Sequence, residues 1–455
     1  MSLLLKHQLE KSPALRYIID GLNLQTALAR HSLYSLSWNS NAKSLEEEFA
    51  QIAKAQALLR DVSKKAFVNS LTHTVAQLHD CRRTVEHLQQ KVILDDVELF
   101  EIKHLALLVG ELRKLLCEAP LVELPDLENV VRLLDPNNTR TATFHIYDKY
   151  SVGLMLLRQQ LQTQPKEQEA YLLAKCTEEE DRIRALLSDK LRPFVPALQT
   201  AIERIAYLDL LLAKAEQAIR EGFSAPKITS GQTVYQGLFN PQIKADLLKQ
   251  GNDFQPVDIT FGNAPVLLTG INMGGKTVVL HTVALAQMLC QYGFYLPVRL
   301  AKVALVEEVI CSAEETQKSL NGLSSFASEM MQINKIIDAI RHQTVVLALV
   351  DEPARTTNPA EGRAIVDALI QLFNKYNVRG LITTHYDHIT TPCRRLRVRG
   401  FRPSDTERNI KQLLAEIDYT LQETDEQNVP HEAMRIAEIL GLDSELIALA
   451  KEKIT

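Results

Sequence analysis

Two short stretches hold the side chains best suited to handling a phosphorylated substrate. The run PVLLTGINMGGKTVVLHTVA, Pro265 to Ala284, sets a GxxxxGK[ST] pattern over Gly270 to Thr277, between a buried-strand run and an apolar-faced helical one. Glycines let backbone approach a ligand closely, and the N–H groups of Gly274, Gly275 and Lys276 at a helix start favour an anion. In that setting Lys276 is expected to reach the β- and γ-phosphates of ATP and the Thr277 hydroxyl to ligate Mg²⁺, with Met273 and Val278 in the nucleotide-binding stretch. Further on, VVLALVDEPARTTNP, Val345 to Pro359, is an apolar strand ending in two acids. A carboxylate at the C-terminal edge of a parallel strand lies beside a phosphate loop, so Asp351 is expected in the Mg²⁺ shell and Glu352 as general base. The strand GLITTHYD ends in His385, which either polarises the γ-phosphate or caps the strand.

These residues need a parallel sheet behind them, and the order of elements provides one. Strands are expected at Pro265–Thr269, near Val298–Ile310, at Val345–Val350 and at Gly380–Thr384. They alternate with helices Lys276–Tyr292, Ser324–Arg341 and Gly362–Tyr376, the pattern of parallel strands with right-handed crossovers. Upstream, from Leu15 to about Glu118, leucine, alanine and charged residues recur at helical spacing with no proline after Pro13 until Pro120. Prolines, Asn137-Asn138 and the alternating run Thr141–Tyr147 then predict a short strand or hairpin. Two long helices follow, Val152–Gln162 and Gln168–Glu221, the second interrupted near Pro193 and Pro196. The composition changes at Gly222–Pro226, the expected boundary.

Composition narrows the class. The chain has 455 residues, 46% hydrophobic and 24% charged, a globular mix. Six cysteines lie far apart with no CxxC, which argues against zinc or a disulfide framework and for a reducing, cytoplasmic setting. No run is long enough for a membrane span, and the start reads as unprocessed. With 51 Lys+Arg against 56 Asp+Glu the net charge is −5, so charge does not point to nucleic acid. The densest basic cluster is Arg394, Arg395, Arg397, Arg399 and Arg402, read first as a solvated strand and loop.

Taken together, TGINMGGKT, NGLSSFASEM (Asn321 to Met330), DEPARTT and TTHY resemble the ATPase domain of the MutS family, a branch of the ABC-type ATPases. The resemblance extends to LRYIIDGLNLQTALARHSL (Leu15 to Leu33), to IERIAYLDLLLAKAEQAI (Ile202 to Ile219), similar to the lever helix, and to MRIAEILGLDSELIALAKEKI (Met434 to Ile454), similar to the C-terminal dimerisation element. It implies an α+β multidomain fold: an all-α core and lever domain over 1–225, an α/β P-loop ATPase domain over 226–406 and a C-terminal helix-turn-helix over 407–455. It also implies Mg²⁺-dependent hydrolysis of ATP by a homodimer or heterodimer with composite sites. Ser324 would contact the γ-phosphate held by the other subunit, Asn272 matches the loop asparagine near the nucleotide, and Phe254 resembles the residue stacked on adenine. By type alone, Ser324 is also an ordinary helix cap and Phe254 a core residue.

Departures from the repair members shape the expected client. The chain starts where the helical core starts, so no mismatch-reading domain is expected, and the turn-sized gap Thr163–Glu169 leaves no room for a DNA clamp. Ile271 stands where repair members usually have Pro, and Lys276-Thr277-Val278 replaces Lys-Ser-Thr. PARTTNPAEG and HEAMRIAEILG (His431 to Gly441) also differ, and the whole set resembles the MutS-related reactivating factors of adenosylcobalamin-dependent lysine and ornithine aminomutases. The first reading is therefore an ATP-driven switch acting on a protein client such as an aminomutase. The alternative is a MutS protein that binds mismatched or branched DNA, with the Arg394–Arg402 cluster as a contact.

Overall fold

A computed structural model describes residues 3–163, 166–270, 275–312, 325–401, 417–425, 437 and 441–454. Its contacts divide the chain into two compact units, one made of 1–22, 36–50 and 217–455, the other of 23–35 and 51–216. The division is not continuous along the chain because the segment near Trp38 is bonded into the first unit. Trp38 Nε1 and Ser40 Oγ donate to the Val306 carbonyl, and Gln291 Nε2 donates to the carbonyls of Asn39 and Val306.

The second unit is helical. Asp96–Leu116 starts with a capping box, Asp95 accepting from the Glu98 N–H while the Glu98 carboxylate accepts from Asp95 N–H, so two orphan donors are satisfied at once. Val152–Thr163 and Glu169–Leu191 follow one another with only a short connection, and Arg192–Phe194 is a 3₁₀ turn before Val195–Glu221. Pro193 and Pro196 explain that turn, since each removes a backbone donor from the helical ladder. The strand expected at Thr141–Tyr147 does not form. Its backbone is used elsewhere: Lys103 Nζ donates to the Thr143 carbonyl at 2.9 Å and Arg158 Nη1 to that of Ile146 at 2.9 Å, leaving no ladder for a partner strand.

The first unit contains ten described strands, β1 (Pro226–Thr229), β2 (Thr233–Leu238), β3 (Val257–Phe261), β4 (Pro265–Thr269), β5 (Leu300–Ala304), β6 (Glu308–Cys311), β7 (Val346–Val350), β8 (Arg379–Thr383), β9 (Arg394–Phe401) and β10 (Ile417–Glu423). They form a four-stranded sheet, β1-β5-β2-β3, and a six-stranded one, β10-β9-β4-β8-β7-β6. In the second, all pairings are parallel except β10 with β9. Every residue of β7 and β8 is buried, as a parallel sheet covered on both faces requires. One face packs Val346, Ala348, Val350 and Ile382 against Ile336, Ile340 and Phe373 of the helices Ser325–Arg341 and Pro359–Lys375. The helix Gly275–Gln291 packs on β6, β7 and β8, with 14 of its residues buried. Of the C-terminal element, the helix Ser444–Ile454 is described, capped by Asp443, which accepts from the Glu445 and Leu446 N–H groups; of the preceding part of the expected helix-turn-helix from Met434, only 437 and 441–443 are among the described residues.

Candidate functional site

Three adjacent parallel strands, β4, β8 and β7, deliver the sequence-predicted residues to one edge of the sheet. Because register is parallel, their C-terminal ends lie side by side, and Gly270, His385 and Asp351 follow them in turn. Lys276, on the first turn of the helix after β4, is only 3% exposed, its Nζ donating to the Gly270 carbonyl at 2.7 Å and lying 3.3 Å from Glu352 Oε1. Burial pulls its pKa below the ordinary lysine value, while the Glu352 carboxylate works against that shift. Thr277 Oγ1 donates to Asp351 Oδ2 at 2.8 Å, and Thr383 Oγ1 donates to Asp351 Oδ1 at 2.6 Å. Ile271, Asn272, Met273 and Gly274 lie outside the described residues, as does Ser324.

The backbone after Asp351 is held in an uncommon shape. Glu352 and Ala354 have φ of +42° and +61°, in the left-handed region that costs a non-glycine residue about 1–2 kcal/mol. Three hydrogen bonds hold this loop. Glu352 N–H donates to Thr383 Oγ1 at 2.8 Å, Ala354 N–H to Glu329 Oε1 at 2.7 Å, and Tyr386 OH to the Ala354 carbonyl at 2.6 Å. Arg355 lies 3.5 Å from Glu352 Oε2. Gly362 permits the Tyr386 contact, because a Cβ there would overlap the Tyr386 hydroxyl. His385 packs its ring on Tyr386 at 4.3 Å, and its buried Nδ1 has no partner among the described residues. Burial lowers the His385 pKa and so favours a neutral imidazole, an effect that the Glu352 carboxylate partly offsets.

Beside the start of the Gly275–Gln291 helix lies a cavity of about 600 Å³ whose walls include Leu238, Ile243, Leu247, Phe254, Val278 and Tyr419. Its size and mostly apolar lining suit a planar heterocycle. Tyr419 is fixed by its N–H donating to Gln255 Oε1 at 2.9 Å, and it leaves no room for a side chain at position 275, where a Cβ would fall 2.8 Å from its ring. Sequence reasoning named Phe254 and missed Tyr419, Thr383, Glu329 and Tyr386. Thr383 and Tyr386 stood inside TTHY and Glu329 inside NGLSSFASEM, but their use depends on which loop they face, which spacing does not reveal.

The donor set tests directly for Mg²⁺. A hydroxyl and a carboxylate converge, both hard oxygen donors, with the half-buried His281 close enough to interact electrostatically with Asp351. Thr277 and Asp351 thus fit that ion. The Arg cluster is less available than the sequence suggested. Arg394 pairs with Glu423 at 2.7 Å, Arg399 lies 3.9 Å from Asp418, Arg395 donates to the Ile389 carbonyl, and Arg402 is outside the described residues.

Residues 266–455 match the family model for MutS domain V. The chain is 30% identical over 286 residues to a protein named Endonuclease MutS2 from Agathobacter rectalis, covering 62% of this chain and 34% of that protein. A second Endonuclease MutS2, from Caldanaerobacter subterraneus, is 28% identical over 311 residues, 67% of this chain and 38% of its own length. A DNA mismatch repair protein MutS from Brevibacillus brevis is 29% identical over 231 residues, 50% of this chain and 27% of the relative. The chain thus spans about a third of the length of these relatives. Residues 266–455 thus resemble MutS domain V, and the relatives named here are MutS2 and MutS proteins. Among the described residues, no helix is long and apolar enough to cross a membrane.

Proposed function

We propose that the protein is an ATP-binding and ATP-hydrolysing switch of MutS type, working as a dimer on DNA. The observation that carries this reading is the linked set Lys276–Glu352 and Thr277–Asp351–Thr383 at one sheet edge, beside a cavity of nucleotide-base size. ATP would lay its base between Phe254 and Tyr419 and its phosphates along the start of the Gly275–Gln291 helix, where backbone donors and the helix dipole favour negative charge. Mg²⁺, when bound by Thr277 and Asp351, would neutralise developing phosphate charge. Lys276 would turn from Glu352 to the incoming phosphate, and the freed carboxylate would accept a proton from the attacking water. Thr383, bonded to both Asp351 and the Glu352 N–H, would set the distance between the metal and base positions. The neutral His385 would orient the water or the γ-phosphate.

For the client, the printed names of the relatives favour DNA over an aminomutase, although the net charge of −5 and the paired Arg394 and Arg399 argue that any DNA contact lies away from that cluster. Dimerisation, with an identical or a related subunit, is part of the same reading. The test is binding to homoduplex, mismatched and four-way-junction DNA, with and without ATP, over a salt series. Phosphate-driven binding weakens with salt, and structure reading keeps a preference among the three. A retained preference is expected. No binding at low salt, with ATP turnover intact, would overturn the DNA reading and return the client to a protein such as a cobalamin-dependent aminomutase.

A further inference from the structure

The opposite, N-terminal edge of the six-stranded sheet holds a second cavity, about 350 Å³, that the nucleotide reading does not use. Arg379, the first residue of β8, lines it together with Asn263, Gln343, Thr344, Tyr376 and Asn377. The arginine is 9% exposed. Its Nη1 donates to the Leu305 carbonyl at 3.1 Å, and its buried Nε has no partner among the described residues. No carboxylate pairs with it among the described residues. Lys103 and Lys276, buried as deeply, each lie against a carboxylate. An arginine cannot shed its charge as a buried lysine can, so an unpaired one in a cavity wall is held at a cost that a bound anion would remove.

We propose that this cavity binds a small molecule through an oxyanion group, phosphate or carboxylate, with Arg379 as the charged anchor. Around the anchor stand neutral donors, the amides of Asn263, Gln343 and Asn377 and the hydroxyl of Thr344, which bond an anion without competing for the guanidinium. The volume admits more than a bare ion. Asn263, Gln343, Tyr376 and Asn377 are exposed, so the site opens to solvent while its charge stays inside.

The test is a thermal unfolding titration with inorganic phosphate and, separately, citrate, each at ionic strength fixed with sodium chloride. The chain is compared as Lys276→Ala, which removes the phosphate-loop lysine, and as Lys276→Ala with Arg379→Gln. The first is expected to show a saturable rise in Tm with one or both anions, and the second to weaken that response at least tenfold. The anion that saturates at lower concentration identifies the group. In anion-free buffer Arg379→Met is expected to unfold no earlier than wild type, whereas a purely structural arginine would make it unfold earlier. An equal response with and without Arg379, a response matched by chloride alone, or no response to either anion would overturn the proposal. Should Arg379→Gln fail to fold, Asn377→Leu at the exposed rim replaces it, with the same expected weakening and the same contrary result.

Discussion

Two buried lysine–carboxylate pairs, one in each compact unit, show how the same chemistry serves different ends. In the helical unit Lys103 and Asp135 are both fully enclosed, Nζ to Oδ1 at 3.4 Å. Lys103 also donates to the Thr143 carbonyl and the Tyr147 hydroxyl, and Asp135 accepts from the Arg140 N–H at 2.6 Å and the Thr139 hydroxyl at 2.9 Å. In the sheet unit Lys276 and Glu352 meet at 3.3 Å, but Glu352 sits on a loop with left-handed backbone and its side chain keeps 13% exposure. The first pair is saturated with fixed partners and secures an irregular segment. The second is held less completely: besides Lys276, Glu352 has the exposed Arg355 at 3.5 Å, and the Lys276 contact is one that an incoming phosphate can replace.

The sharpest break of this comparison is Lys103→Met. It strands Asp135 in the core and is expected to cost about 3–5 kcal/mol in urea unfolding. Lys276→Ala, by contrast, leaves a carboxylate that water can reach and is expected to cost on the order of 1 kcal/mol. Equal losses would mean the two pairs are alike. Next in size is Thr383→Val, which deletes the bonds to Asp351 and to the Glu352 N–H. ATP turnover is expected to fall about tenfold or more, the equivalent of a bond or two at roughly 1 kcal/mol each, with ATP affinity nearly kept. Thr383→Ser should restore it; failure of serine to rescue would assign threonine a packing role.

Gly362→Ala is expected to be milder, about 1–3 kcal/mol from overpacking against Tyr386, with some loss of turnover as the Ala354 contact shifts. The stability cost should shrink when Tyr386→Phe is combined with it, and an unchanged cost would place the strain elsewhere. The smallest effect is on acid stability. Burial works to raise the Asp135 pKa, but the Arg140 N–H, the Thr139 hydroxyl and Lys103 outweigh it and hold it below the ordinary value. Its stabilisation is therefore complete above the unfolded pKa of about 4 and is lost as pH falls through the lower folded value. Asp135→Asn should flatten that acid slope relative to wild type, and an unaltered slope would remove Asp135 from the account.

How much of this was legible in the sequence depended on how local the signal was. Apolar runs ending in functional residues, as at Thr269, Val350 and Thr383, located β4, β7 and β8 because a parallel strand buried on both faces leaves a continuous hydrophobic trace. Pro193 marked its turn for an equally local reason. The run Thr141–Tyr147 alternated like a strand, but tertiary bonds from Lys103 and Arg158 took the carbonyls a partner strand would have used. In the site, Lys276, Thr277, Asp351 and Glu352 were readable from motif order. Tyr419 and Glu329 were not, since each reaches its contact through a fold closure that no spacing encodes. The arginine cluster lies on a strand, as first read, but its acidic partners Asp418 and Glu423 could not be read because they lie on a different strand.

The central claim is that Glu352 acts as the base of an ATP-hydrolysing site while Lys276 holds phosphate. Measuring Mg²⁺-ATP binding and steady-state turnover side by side for wild type and Glu352→Gln tests it most directly. The account predicts that the variant binds ATP within a few-fold of wild type while turnover falls by about 10²–10⁴. Turnover at the wild-type rate, or loss of binding together with turnover, would contradict it.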